Sequence, residues 1–266
     1  MDREERRGQS PSHRPHKRHA TRSPLGPQPR LLYRVSTEGN IGAGKSSLVA
    51  LLNETRLPGA PLKRVVQEPV ELWEQSGFLA RMYEGKLDPF QFQVYALATR
   101  TLALTQAIDS LGWDALKYEA RGEEVPVALL LVERDMQGDC NLFARHYLSA
   151  QQLLDYQKIH AVHCELVASV LARWDFYTED HVIAVRVCPE IAAMRVTKRD
   201  RTEEKNLSLK TLIELDALHE EYYRATTNAV WSIDANKEPD AMYTEALGIL
   251  NNITRSGGET ARSALA

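Results

Sequence analysis

Five short apolar runs recur along the chain, at Leu31–Ser36, Arg64–Gln67, Val127–Val132, Val182–Val187 and Ala229–Ile233. They are rich in Val and Leu, as strands buried on both faces tend to be. Between them the apolar positions step by three and four, the spacing of one helix face. Such patterns predict helices over Ser47–Asn53 and Phe90–Ile108. A further helix starts near Ser149, where Ser149-Ala150-Gln151-Gln152 matches a capping box and Ile159, Val162, Leu166, Val170 and Trp174 supply the apolar face. Another carries Leu209, Leu212, Leu215, Leu218 and Tyr222. Strands alternating with helices predict an α/β fold with a parallel sheet and right-handed crossovers, whose ligands bind at the carboxyl ends of the strands.

The two ends of the chain break this pattern. Residues 1–30 hold five prolines and little that is apolar, so no core can form there, and disorder is expected. That stretch carries eight Lys or Arg against three acids, leaving it at +5 and the remaining residues at −8 out of a total of −3. The tail is either a solvated segment or a nuclear or organelle address. The mildly acidic body argues against a nucleic-acid surface. Residues 254–266 are small and polar and are expected to fray, which bounds one domain at 31–253. Three widely spaced cysteines, Cys140, Cys164 and Cys188, predict reduced thiols and a cytoplasmic setting. No apolar run approaches the length of a membrane span.

The strongest chemical signal follows the first predicted strand. Gly39-Asn40-Ile41-Gly42-Ala43-Gly44-Lys45-Ser46 is G-x-x-x-x-G-K-S, with Ser47 opening the next helix. Its glycines let backbone N–H groups turn towards a polyphosphate. Lys45 reaches the outer phosphates, and the Ser46 hydroxyl suits Mg²⁺. The helix start adds its positive dipole end.

Three further clusters follow. Glu68 ends the second strand before Pro69, which keeps it extended and places a candidate base at the ligand edge. The third strand breaks into Glu133-Arg134-Asp135, where an acid can hold a metal and an arginine can neutralise phosphoryl oxygens. Arg195, Lys198, Arg199 and Arg201 crowd together, and Arg195 and Arg199 share a helix face, which costs stability until an anion binds. This predicts a lid over the donor. Gln93, Ala96 and Arg100 share a face too; Gln93 can read a base edge, Ala96 leaves room, and Arg100 can pair with Asp139.

Among classes with this loop, a GTPase is disfavoured. Asp109-Ser110-Leu111-Gly112 lies in a helical pattern, and Asn236-Lys237-Glu238-Pro239 misses the base-reading motif. What remains is a small kinase.

Taken together, Glu38-Gly39 through Ser46, Glu68-Pro69-Val70-x-x-Trp73, Phe92-Gln93-Val94-Tyr95, Glu133-Arg134 and Arg199-x-Arg201-x-Glu203-Glu204 resemble the deoxyribonucleoside kinase family, in order from about residue 31 to 235. The resemblance implies a P-loop kinase fold, with five parallel strands flanked by helices, and a homodimer. It implies ATP-dependent phosphorylation of the 5′-hydroxyl of a deoxynucleoside, with Mg²⁺ held near Ser46 and Glu133. It casts Glu68 as the base, Arg134 as the arginine beside the reacting phosphoryl group, and Arg195, Arg199 and Arg201 as lid arginines. Trp73 becomes the aromatic wall, Tyr83 and Glu204 the holders of the 3′-hydroxyl, and Gln93 the base reader. Ala96, Arg100 and Asp139 resemble the deoxycytidine/purine branch, since an Arg–Asp pair fills the space of a thymine methyl. A thymidine kinase, a nucleoside monophosphate kinase and a non-catalytic nucleotide binder stay as alternatives. Two departures stand out: Asp135, where the family usually has Ser, adds an acid near the metal, and the first strand carries polar Arg34, Ser36 and Thr37.

Overall fold

A computed structural model describes residues 30–201, 204 and 207–263, apart from the side chains of residues 256–263. The expected disorder of residues 1–29, and Glu203 of the lid motif, lie outside these. Five strands, β1 (Arg30–Glu38), β2 (Leu62–Val66), β3 (Ala128–Glu133), β4 (Phe176–Arg186) and β5 (Ala229–Asp234), form one sheet in the order β2-β3-β1-β4-β5. Every pairing is parallel, so all carboxyl ends share one edge.

Alternation along β1 and β3 splits the core in two. Tyr33, Val35, Leu129 and Leu131 face α1 (Lys45–Glu54) and the last helix, meeting Leu48, Leu52, Ala246 and Leu250. Leu32, Leu130 and Val132 face the opposite way, onto Leu97, Leu104, Ile108 and Tyr156. The polar Arg34 and Thr37 of β1 are paired within the sheet. Arg34 pairs with Asp180 across the β1–β4 register (Nη2–Oδ2 2.5 Å), and the Thr37 hydroxyl donates to the Val132 carbonyl (3.3 Å).

Between β2 and β3 run α2 (Val70–Gln75), α3 (Phe78–Tyr83) and the long α4 (Pro89–Ala120). After β3 come α5 (Met136–Gly138), a π-helical stretch over Asp139–Ala144, α6 (Arg145–Tyr147) and α7 (Ala150–Arg173). The Ser149–Gln152 capping box is present. The rest of the chain forms α8 (Pro189–Arg199), α9 (Leu209–Ala225) and α10 (Pro239–Ser263). Asp109 lies inside α4 and accepts from Trp174 Nε1 (2.6 Å), consistent with its exclusion as a switch residue.

Three expectations need correction. Arg30 opens β1 rather than closing the tail, because its guanidinium is bonded to the Trp174 carbonyl (2.7 Å) and to Glu119 (2.7 Å). The boundary at residue 253 falls inside α10, since Thr254 is buried with its hydroxyl bonded to Leu250 O (2.9 Å), so packing continues past it. On α7, Val162 and Leu166 are exposed, 64% and 48% respectively. Tyr156, His160, Val167 and Val170 are the buried set, so the inward face is rotated from the predicted one.

Candidate active site

One cleft opens where β1, β2 and β3 end. Ile41, Gly42, Gly44, Lys45, Ser46 and Ser47 line one side, Trp73, Tyr83, Gln93, Ala96 and Arg100 the other, with Glu68, Glu133, Arg134, Asp139, Arg199, Arg201 and Glu204 between them. Gly39, Asn40 and Ala43 do not line it but shape the loop from behind. Asn40 Nδ2 donates to Leu212 O (2.7 Å), Ala43 is in the core, and Gly39 packs so closely that an added Cβ would sit 2.4 Å from Val185 O. Gly42 and Gly44 have φ of 80° and 93°, backbone that side chains resist. Arg195 lines an adjoining hollow with Gly44, Ser47, Pro239 and Met242; Arg199 reaches both.

Glu68 is the hub of the cleft. Its Oε1 accepts from Arg100 Nη2 (2.5 Å) and from Arg134 Nε (2.8 Å). Burial alone would raise its pKa, but Arg134, Arg100 and Lys45 outweigh that and hold it at about 2. Arg100 also pairs with Asp139, whose other oxygen accepts from Tyr156 (2.6 Å). The Arg100 guanidinium lies 4.9 Å from the centre of the Trp73 ring, whose Nε1 donates to Thr99 (2.9 Å). Gln93 lines the cleft and is buried, and its Oε1 has no hydrogen-bond partner among the described residues.

On the loop side, Lys45 Nζ donates to Gly39 O (2.9 Å) and Asn40 O (3.0 Å). Burial and the nearness of Arg134 push it down to about 8, against three carboxylates. Ser46 Oγ donates to Glu133 Oε1 (2.5 Å). Burial, then the like charge of Glu68, raise Glu133, so this carboxylate is short of positive charge. A hydroxyl and a carboxylate side by side are the hard oxygen donors that Mg²⁺ takes together with substrate phosphates and water, so these residues fit the ion. Glu204 is buried and pairs with both Arg199 and Arg201 (Arg201 Nη1 3.0 Å), while Arg201 Nε also reaches Glu74 of α2 (3.0 Å).

Asp135 does not line the cleft that holds Ser46 and Glu133. Its side chain accepts from Gly138 N (2.6 Å), capping α5, and it lines a separate hollow with Arg34 and Asp180. The two departures from the family pattern, Arg34 and Asp135, thus share one place. Sequence reasoning also missed Phe143, stacked 4.1 Å from the Arg134 guanidinium, as well as Glu74, Tyr156 and the roleless Glu38. Only Glu38, immediately before the glycine loop, carried a signal.

Residues 35–254 match the family profile described as deoxynucleoside kinase. The chain belongs to the deoxynucleoside kinase family. It is an ATP-dependent phosphotransferase acting on nucleosides. It is 26% identical over 206 residues to a probable deoxycytidine kinase of Fowlpox virus (strain NVSL), covering 71% of each chain. It is 27% identical to deoxycytidine kinase 2 of Gallus gallus, covering 75% of this chain and 77% of that one. In fold it resembles a deoxyadenosine kinase from M. mycoides solved with dCMP and dCDP, with a TM-score of 0.56 and 19% identity over 83% of this chain and 99% of that chain.

Proposed function

We propose that the chain moves the γ-phosphoryl group of ATP to the 5′-hydroxyl of a deoxynucleoside, preferring deoxycytidine or purine deoxynucleosides. One observation carries the reading: a single carboxylate, Glu68, is bonded at once to Arg100 on the acceptor side and Arg134 on the phosphate side. A hydroxyl delivered to Glu68 would therefore lie beside the glycine loop.

Glu68 receives the proton of that hydroxyl. A carboxylate held near pKa 2 is a weak base, which suits a loose transition state in which the proton leaves late and the carboxylate chiefly orients the nucleophile. Arg134, Lys45 and the lid residues Arg195, Arg199 and Arg201 hold charge on the phosphoryl oxygens. Mg²⁺, held by Ser46 with Glu133 near it, would supply the remaining positive charge. Trp73 walls the base, Gln93 reads its edge, and Tyr83 and Glu204 hold the 3′-hydroxyl. The Arg100–Asp139 pair, tied by Tyr156, and the neighbouring Ala96 support cytosine or purine over thymine.

A homodimer is supported by exposed apolar residues on two helices that pack on each other: Leu102 and Trp113 of α4, and Leu154, Val162 and Leu166 of α7. No helix among the described residues is long and apolar enough to cross a membrane. Three free thiols support a reducing, cytoplasmic setting.

The test is a turnover panel with Mg²⁺, ATP, the four deoxynucleosides and dCMP. Nucleotide formed fastest from deoxycytidine or a purine deoxynucleoside is expected. Thymidine turned over far faster would overturn the preference, and phosphorylation of dCMP alone would overturn the acceptor.

A further inference from the structure

Glu38 ends β1 and is fully buried, yet the scheme above gives it no task. Its Oε2 accepts from Arg134 Nη1 (3.1 Å), and its Oε1 accepts from the Asp135 backbone N–H (2.9 Å). Both donors sit in the bend after β3, where Arg134 has φ 62°, a left-handed conformation that a bulky residue holds only when its surroundings impose it. Gly138 closes a further side, since a Cβ there would lie 2.5 Å from Glu38 Oε1. The remaining Arg134 nitrogens are committed as well: Nε to Glu68, and Nη2 to Gly39 O (3.2 Å).

We propose that Glu38 is a positioning residue: it fixes both the guanidinium and the backbone of Arg134, so that Glu68 and the glycine loop keep one spacing. This deepens the kinase reading and rests on it. Glutamine cannot replace Glu38, because both carboxylate oxygens face N–H donors. Either orientation of the amide sets its NH₂ against Arg134 or against Asp135 N–H.

The experiment is steady-state kinetics of the full chain with Mg²⁺, ATP and its best deoxynucleoside. Glu38→Gln is expected to lower kcat by about 10- to 100-fold, as sub-ångström misplacement of catalytic groups does, with both KM values within about threefold. In an Arg134→Ala background the same change is expected to cost less than about twofold more, because the two act as a unit. Gly138→Ala pushes on the carboxylate without altering it, at a residue whose φ suits alanine, and is expected to lower kcat likewise; it carries the test if Glu38→Gln fails to fold. A kcat within about twofold of wild type, or an undiminished loss in the Arg134→Ala background, would overturn the proposal. If wild type phosphorylates no deoxynucleoside, the kinase reading is what fails. Crystal structures then still decide the positioning claim: Arg134 displaced from Glu68 in Glu38→Gln supports it, and an unmoved Arg134 overturns it.

Discussion

Replacing Glu68 with glutamine removes the one carboxylate on which Arg100 and Arg134 converge. Folding should survive, because neither cation is orphaned: Arg100 keeps Asp139, and Arg134 keeps Glu38. Both arginines donate to the same oxygen, so an amide oxygen in its place can still accept from them, and the stability loss is that of two weakened charged hydrogen bonds, about 1–3 kcal/mol. The chemical loss is larger. An amide cannot take the proton of the attacking hydroxyl, and removing such a group typically lowers turnover by about 10²–10⁴. That corresponds to about 3–5 kcal/mol of activation free energy. Glu68→Gln should thus show kcat reduced in that range, KM for ATP nearly unchanged, and a cooperative melt slightly below that of wild type. Nucleotide formation under saturating substrates, alongside thermal unfolding, measures both quantities. A folded variant with kcat within about threefold of wild type would refute the assignment of Glu68 as base.

Three further outcomes follow from the same geometry. Gly42→Ala places a Cβ 2.6 Å from Ala192 O at a φ of 80°, so it should cost about 1–3 kcal/mol of stability and weaken ATP binding, read by calorimetry of melting and of titration. His219 is buried and neutral, its pKa pushed down to about 3 by burial and then by Arg134. Its stabilisation is therefore fully present above pH 6.5 and is lost as pH falls towards 3, so wild type should lose more stability between pH 7 and 5 than His219→Gln in denaturant titrations. Trp113→Glu combined with Val162→Asp puts charges on exposed apolar positions, and light scattering should report conversion of a dimer to monomers with the melt of the monomer cooperative.

The parallel sheet was legible because β3 and the core of β4 are unbroken apolar runs, and the glycine loop because each of its residues answers a geometric need. The polarity of β1, unexpected in a central strand, had no explanation in the sequence. Arg34, Ser36 and Thr37 look solvent-facing until Asp180 and the Val132 carbonyl, distant in the chain, arrive beside them. Val162 and Leu166 stepped correctly for a helix, but spacing does not say which apolar positions meet the core and which stay exposed. The chain order of Glu68, Arg100, Glu133, Arg134 and Asp139 could be read, as could their residue types. The Arg100–Asp139 pair could be read as well, but the other long-range pairings could not: the bond of Arg100 to Glu68, the Tyr156 tether and the Glu38 anchor depend on contacts up to 96 residues apart. Asp135 was misread because its neighbours in sequence point to the cleft while its own side chain turns to cap α5.

The most direct test is a crystal structure of the full chain with Mg²⁺, a non-hydrolysable ATP analogue and deoxycytidine. The account predicts the triphosphate on the loop from Gly42 to Ser46, the base against Trp73 and Gln93, and the 5′-oxygen within hydrogen-bonding distance of Glu68. A nucleoside bound with its 5′-oxygen turned away from Glu68, or a triphosphate seated off the glycine loop, would contradict it.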